Sequence, residues 1–203
     1  MYRKDRQNEF YTEQAHKEGY PARSVYKLRE IDQKYKLVKK EDTVLDLGCA
    51  PGSWLMYLSA KVGEKGRVIG VDTGELKISP FKNILFIRKN VMEVEINELR
   101  KAGGKFQVIV SDMAPSTSGM PLADAGRSLE LSERAFAIAS ELLEPNGNFL
   151  CKIFEGRESN ELFKVISQFF RFSKIFRPKA VSRGSREFYI IGKGFKTGSV
   201  GSH

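Results

Sequence analysis

Cysteine and histidine, the residues that build disulfide frameworks and many metal sites, are scarce in this 203-residue sequence. The 2 cysteines, Cys49 and Cys151, are too few for a disulfide framework, and we interpret them as reduced thiols of a cytoplasmic protein. The 2 histidines, His16 and His203, lie far apart in the chain, so no His/Cys ligand set is present. We therefore expect no metal site.

Long apolar runs are also missing. No stretch of 18 apolar residues occurs, so we expect no membrane span and no membrane partner. The first ten residues, MYRKDRQNEF, are charged and polar, and no apolar signal-peptide core follows them. The length suits one α/β domain over residues 1–196, with residues 1–20 as a basic N-terminal arm and residues 197–203 as a flexible tail.

The common nucleotide-phosphate motifs are absent from the central glycine-containing stretch, TVLDLGCAPGSWLMYL at residues 43–58. Its pattern predicts a buried strand, a tight turn and a helix. Gly48 and Gly52 fit neither G-x-G-x-x-G nor the P-loop spacing, and Asp46 would repel a pyrophosphate. A carboxylate at this point suits a cationic ligand or an ammonium group. The alternative is a strand–turn–helix unit that binds nothing.

Positive charge is concentrated in the two flanks of the chain, whose overall net charge is +9. Residues 1–40 contain 11 Lys and Arg against 6 Asp and Glu, and residues 171–196 contain 8 against 1. The centre, residues 41–170, is slightly acidic, with 15 against 18. Such basic patches typically indicate a polyanionic partner. The alternative is a solvated surface whose charge maintains solubility.

Apolar strands and amphipathic helices alternate along the rest of the chain, which predicts a largely parallel sheet with helices on both faces. We predict the later strands at residues 67–72, 84–90, 106–111, 148–154, 173–178 and 186–194. Asp72 and Asp112 come at or just after the ends of two of them, where ligands of open α/β sheets bind. Lys152 interrupts an apolar strand, so its amine needs a partner. Alone, each residue could instead be a turn former, a helix cap or a lysine that reaches the surface.

Taken together, these stretches resemble the FtsJ-type ribosomal RNA 2′-O-methyltransferases of the class I S-adenosylmethionine-dependent superfamily. The resemblance covers about residues 20–192 and rests on PARSVYKLRE, DLGCAPGSW, VIGVD, SDMAPSTSG, CKIF and SREFYI. It implies a Rossmann-like fold with a mostly parallel seven-stranded sheet, helices on both faces and an antiparallel last strand.

The resemblance also implies roles for individual residues. A K-D-K-E tetrad, in which Lys152 is the general base, corresponds to Lys27, Asp112, Lys152 and Glu187. The implied cofactor is S-adenosylmethionine, with S-adenosylhomocysteine as product and no metal requirement. The predicted cofactor contacts are Asp46, Gly48, Gly52, Ser53, Trp54, Asp72, Asn90 and Asp112. Asn90 stands where the family commonly has Asp.

The function implied is methylation of a ribose 2′-hydroxyl, on a uridine of 23S ribosomal RNA in the large subunit. We expect a monomer that contacts RNA through the N-terminal arm and the basic loop KAVSRGS near the C-terminus. A transfer RNA substrate is one alternative. A non-catalytic RNA-binding factor for ribosome assembly is another, which the intact tetrad disfavours. A small-molecule methyltransferase is a third, which the basic flanks disfavour.

Overall fold

The computed structural model describes residues 3–79, 81–116, 118–182 and 184–196, with side chains from Asn8 onward. The described helices are α1 (Arg3–Lys17), α2 (Val25–Tyr35), α3 (Ser53–Val62), α4 (Ile96–Gly103), α5 (Pro121–Leu142) and α6 (Ser159–Gln168). The described strands are β1 (Thr43–Leu47), β2 (Arg67–Asp72), β3 (Ile84–Arg88), β4 (Phe106–Ser111), β5 (Leu143–Phe154), β6 (Phe170–Phe176) and β7 (Glu187–Phe195). They alternate along the chain as the sequence predicted.

These seven strands form one sheet in the order β3-β2-β1-β4-β5-β7-β6. Strands β1 to β5 are parallel, and β7 lies antiparallel between β5 and β6. The predicted mostly parallel sheet with an antiparallel last strand is confirmed. The carboxyl ends of β1 and β4, which are neighbours, therefore meet at one edge of the sheet, where this fold class places its ligands.

The helices cover both faces of the sheet, as predicted. Helices α2 and α3 bury apolar residues such as Leu28 and Leu55 against one face. Helices α4, α5 and α6 bury Leu99, Ile138 and Ile166 against the other. Each of these side chains is fully buried, and burying a Leu or Ile side chain contributes about 1.5–3 kcal/mol. This core fixes the strand ends that carry the polar site residues.

The main differences from the predicted boundaries lie at the starts of two strands. Strand β6 begins at Phe170 rather than at 173. Strand β5 was predicted from 148 but begins at Leu143. Its register with β4 shifts between Phe106 and Val108, which accommodates the Pro-Asn-Gly segment inside an extended strand.

The N-terminal arm is a regular helix that is docked on the domain. Ala15 of α1 is fully buried against Val25, Tyr26 and Ala180, and Tyr11 packs on the same cluster. An aromatic residue of a basic arm can stack on bases or pack on its own domain, and the ring of Tyr11 does the latter. Phe10 is 60% exposed. The side chains of Arg3, Lys4 and Arg6, the residue Arg183 and the predicted tail at 197–203 lie outside the described residues.

No helix within the described part of the chain is both long and apolar enough to cross a membrane.

Candidate active site

The turn between β1 and α3 depends on glycine. Gly48 has φ of +81°, a conformation that residues with a side chain rarely adopt. A Cβ atom at Gly48 would lie 2.6 Å from Cγ of Met113, which follows β4. Because glycine has no Cβ, the turn can approach the segment after β4 this closely. The two chain segments form the floor of a cleft.

The cleft has a volume of about 380 Å³ and opens at the carboxyl ends of the parallel strands. Four predicted cofactor-binding residues line it: Gly48, Asp72, Asn90 and Asp112. The other lining residues are Ala50, Thr73, Val91, Met113, Ala114 and Leu131. Sequence reasoning did not identify this second group, which is mostly apolar and carries no charge that would distinguish it from core residues.

The polar groups at the far end of the cleft are held in place by backbone amides. Asp72 accepts hydrogen bonds from the amides of Ala50 at 2.9 Å and of Gly74 at 2.7 Å. Asn90 accepts one from the amide of Met92 at 3.0 Å. These bonds fix the orientation of the Asp72 carboxylate and the Asn90 carboxamide, and both residues line the cleft.

The remaining predicted cofactor residues lie beneath the turn rather than on the cleft wall. The hydroxyl of Ser53 accepts a hydrogen bond from the amide of Ala22 at 2.7 Å, and the indole of Trp54 donates one to the carbonyl of Ser24 at 2.9 Å. A Cβ at Gly52 would point toward Ile78. The two hydrogen bonds join the start of α3 to the segment before α2, and direct cofactor contacts by these three residues stay a prediction.

Asp46 is fully buried in β1, and neither carboxyl oxygen has a hydrogen-bond partner among the described residues. Burial raises the pKa of Asp46 well above its usual range, and the negative charges of Asp112 and Asp72 raise it further. Its predicted contact with a cofactor also stays a prediction, because Asp46 does not line the cleft.

The predicted tetrad residues come together beside the cleft. The amine of Lys152 lies 3.0 Å from Oδ1 of Asp112 and donates a hydrogen bond to the Asp112 carbonyl at 2.5 Å. The amine of Lys27 lies 2.5 Å from Oε1 of Glu187. The sheet explains the arrangement, because Ser111, just before Asp112, pairs with Cys151, just before Lys152. Helix α2 brings Lys27 over this sheet face.

Tyr189 belongs to the same group, although sequence reasoning missed it. Its hydroxyl donates a hydrogen bond to Oδ1 of Asp112 at 2.7 Å, and it pairs directly with Lys152 across β5 and β7. A usable signal was present, because residues two apart on a strand share a face. Once Glu187 was assigned to the site, Tyr189 was the next residue on the same face.

The charges in this group favour ionised Asp112. Burial acts to raise the pKa of Asp112, but Lys152, Lys27 and the hydroxyl of Tyr189 outweigh it, and the pKa is lowered. Burial raises the pKa of Tyr189 well above its usual range, and the charge of Asp112 adds to this effect. A carboxylate is thus available to orient an amine at the edge of the cleft.

Within the residues that the structure describes, no group of three or more His, Cys, Asp and Glu side chains is placed to hold a metal ion. The amines and carboxylates of the site are able to transfer protons and to stabilise charge.

Comparison with known proteins connects this geometry to a family. The model of the family described as "FtsJ-like methyltransferase" matches residues 20–195. The chain is 43% identical to the Ribosomal RNA large subunit methyltransferase E of Desulfatibacillum aliphaticivorans, over 93% of this chain and 91% of that protein. It is 39% identical to the protein of the same name from Archaeoglobus fulgidus, over 95% of this chain and 98% of that protein.

A solved structure gives the same result at the level of the fold. The crystal structure of a protein from Plasmodium falciparum, assigned as a ribosomal RNA methyltransferase, superposes with a TM-score of 0.76. The sequence identity is 28%, and the match covers 87% of this chain and 98% of that one. The predicted family resemblance and fold are confirmed by these findings.

Proposed function

Because the chain belongs to the FtsJ-like methyltransferase family, we propose that it methylates the 2′-hydroxyl of a ribose in large-subunit ribosomal RNA. The observation that carries this proposal is the buried amine of Lys152, held against Asp112 at the edge of the cleft. An RNA substrate is supported by the names of the relatives and by the net charge of +9. We propose a uridine as the target nucleotide.

Membership of a methyltransferase family implies S-adenosylmethionine as the methyl donor. The cleft fits such a molecule. At Gly48 no side chain blocks a close approach to the backbone, and Asp72 and Asn90 supply polar groups. Val91 and Leu131 supply apolar side chains. We propose that Asp72 binds the ribose hydroxyls and that Asn90 binds the adenine. When bound, S-adenosylmethionine supplies a methyl group on a sulfonium, and its transfer leaves S-adenosylhomocysteine.

The tetrad residues have separate roles in the proposed reaction. Lys152 accepts the proton of the 2′-hydroxyl as the new oxygen–carbon bond forms and the sulfur–carbon bond breaks. Its N–H groups make the present contacts with Asp112, which hold the amine at the edge of the cleft. Asp112 orients the amine, and Lys27 places a second cation nearby, held by Glu187. General-base assistance of this kind accelerates a reaction by about 10²- to 10⁴-fold.

RNA binding through the arm and the C-terminal basic loop is supported by contacts between them. The guanidinium of Arg23 donates hydrogen bonds to the carbonyl of Ala180 at 3.3 Å and the hydroxyl of Ser182 at 2.9 Å. The Ser182 hydroxyl in turn donates to Asn8 of α1 at 2.9 Å. We propose that the arm and the loop, held together in this way, form one surface beside Lys27 and Glu187.

The proposed reaction is tested with Lys152→Arg in single-turnover methylation of large-subunit ribosomal RNA. A guanidinium is effectively never deprotonated, so we expect methyl transfer to fall by at least about 100-fold while S-adenosylmethionine affinity stays unchanged. Lys101→Arg, at an exposed position on α4, is the matched control. Near-normal rates for Lys152→Arg would show that Lys152 only anchors a phosphate. Absence of ribose methylation by the unaltered protein would reject the proposed function itself.

A further inference from the structure

A second concave surface lies at the amino end of β5, at the opposite end of the strand from Lys152. It encloses about 500 Å³, and we call it the basic pocket. Its lining residues are Lys34, Tyr35, Lys36, Lys39, Asn146, Asn148, Arg171, Phe172, Lys193 and Gly194. We infer that the basic pocket binds phosphates and one base of the RNA substrate, at nucleotides other than the one that is methylated. This inference rests on the proposed function only for the identity of the RNA.

The pocket carries five cationic side chains and no acidic one. Lys34, Lys36, Lys39 and Arg171 are exposed, and within the described part of the chain none of them forms an ion pair. Of the two acids on the same helix as Lys34, Glu30 accepts a hydrogen bond from the amide of Lys179 at 2.7 Å, and Asp32 is also engaged. It accepts hydrogen bonds from backbone amides and from Tyr57, and pairs with Lys61. Asp42, which lies outside the lining, accepts a hydrogen bond from the amide of Lys39 at 2.7 Å and interacts with its charge. Five cations against this one neighbouring carboxylate leave the pocket with a net positive charge that attracts a polyanion.

The aromatic residues of the pocket distinguish RNA from an acidic protein. Phe172 is 45% exposed, and its ring centroid lies 6.2 Å from that of Tyr35. Tyr35 packs in turn on Phe176 at 5.4 Å, and the amine of Lys34 lies 4.5 Å from the Phe176 ring. An exposed ring on an aromatic support, with cations around it, matches the stacking platforms of single-stranded nucleic-acid sites. Carboxylates of a protein partner would need only the cations.

The position of the pocket requires a substrate that extends beyond one nucleotide. Asn148 pairs with Lys193 on β5 and β7, and Lys152 pairs with Tyr189 four residues further along. At about 3.3 Å per residue, the two sites are about 13 Å apart along the strands. One folded RNA can therefore contact both ends of this strand pair through different nucleotides.

The pocket also joins the two basic flanks of the sequence. Lys34, Lys36 and Lys39 come from residues 1–40, and Arg171 and Lys193 come from residues 171–196. Strand β7 pairs with β6, and the amine of Lys193 donates a hydrogen bond to the carbonyl of Tyr35 at 2.5 Å, which brings the flanks together.

The inference is tested by RNA titrations of two matched pairs of variants. The first pair is Lys39→Glu with Arg171→Glu against Lys101→Glu with Lys164→Glu, which change the net charge equally at exposed positions. We expect the pocket variant to bind ribosomal RNA at least about tenfold more weakly than its control, with a smaller salt slope.

The second pair is Phe172→Ala against Val165→Ala. Val165 lies on α6 and is 47% exposed. Loss of stacking should weaken RNA binding about 5- to 100-fold for Phe172→Ala only.

Each outcome is decisive because binding is measured without methyl transfer. Pocket variants that bind naked RNA like their controls would overturn the inference. Weaker binding to assembled large subunits with unchanged binding to naked RNA would assign the pocket to an acidic protein instead. S-adenosylmethionine titration verifies that every variant is folded. An unaltered protein that methylates no RNA, yet needs the pocket to bind it, would reject the proposed reaction and keep the pocket.

Discussion

Tyr189 contributes one hydroxyl to the candidate site, and this hydroxyl contacts the same carboxylate oxygen that Lys152 approaches. Tyr189→Phe removes the donor and keeps the ring, which is fully buried. Hydrogen bonds to charged groups contribute about 1.5–3 kcal/mol, so we expect the free energy of unfolding to fall by this amount. Denaturant unfolding measures it, with Tyr11→Phe as the control. Equal losses in both variants would show that the Asp112 contact adds nothing.

Asp46 makes a second residue-scale prediction, on pH dependence. Burial first, and then the charges of Asp112 and Asp72, raise the pKa of Asp46 in the folded state. Above the pKa of the unfolded state, the folded protein therefore binds more protons at Asp46 than the unfolded chain does. The contribution of Asp46 to the free energy of unfolding therefore falls as pH rises from the unfolded-state pKa toward the folded-state pKa, by at most about 1.4 kcal/mol per pH unit. Asp46→Asn removes the titrating group and keeps the shape.

We expect Asp46→Asn to become more stable relative to the unaltered protein as pH rises from about 4 to 7. For Asp112→Asn we expect the opposite dependence of relative stability on pH. The pKa of Asp112 is lowered, so its stabilisation is present above the unfolded pKa and is lost as pH falls through the folded one. Thermal unfolding from about pH 4 to 7 measures the effect of Asp46→Asn, and unfolding below about pH 4 measures that of Asp112→Asn. A pH-independent difference for Asp46→Asn would mean that the buried carboxyl does not titrate differently on folding.

At the scale of elements, the β1–α3 turn makes the sharpest prediction. Gly48→Ala places an alanine at an unfavourable φ and brings its Cβ into close contact with Met113. Gly104→Ala is the matched control, because its φ is +75° and no atom lies within 4 Å of the added Cβ. We expect both variants to lose about 1–3 kcal/mol for the backbone conformation, with a further loss for Gly48→Ala alone.

Gly48→Ala should also lose S-adenosylmethionine affinity, because the turn and Met113 both line the cleft and must separate. Titration calorimetry of the two variants measures this. Equal affinities in Gly48→Ala and Gly104→Ala would show that the cleft does not depend on the close approach.

The elements also show how far the sequence could be interpreted. Strands β1 and β2 were predicted at their observed positions, because buried parallel strands are short apolar runs bounded by turn residues. The start of β5 was not, because Pro145 and Gly147 normally interrupt a strand, and the register shift against β4 that accommodates them is a tertiary feature. Trp54 and Ser53 were assigned to the cofactor because the motif contains them, whereas their side chains form hydrogen bonds with the segment before α2.

At the scale of the whole molecule, the charge distribution predicts how RNA binding responds to salt. Replacing Arg3, Lys4 and Arg6 by Gln should weaken RNA binding and reduce the dependence of log K on log salt concentration by about 0.7–0.9 for each phosphate that the arm no longer neutralises. Lys101→Gln with Lys164→Gln is a control at exposed positions elsewhere. Titrations at several salt concentrations give the slopes. If the slope of the arm variant equals that of the unaltered protein, the arm is not part of the RNA-binding surface.

The sequence revealed that both flanks are basic but not that they meet. Lys36 and Arg171 are 135 positions apart in the chain, and they line one pocket because β6, the end of β7 and the end of α2 are neighbours. Such adjacency is set by strand order, which composition does not encode.

The placement of β7 has a consequence for synthesis on the ribosome. Among the described strands β7 is translated last, yet it inserts between β5 and β6 and carries Glu187 and Tyr189. A nascent chain that has been synthesised only as far as Phe154 has an unpaired β5 edge and lacks the partners of Lys27 and Asp112 that β7 supplies. At about 5–20 residues per second, this interval lasts roughly two to seven seconds before residue 187 is added. We therefore expect the growing chain to be catalytically silent until β7 has closed the sheet.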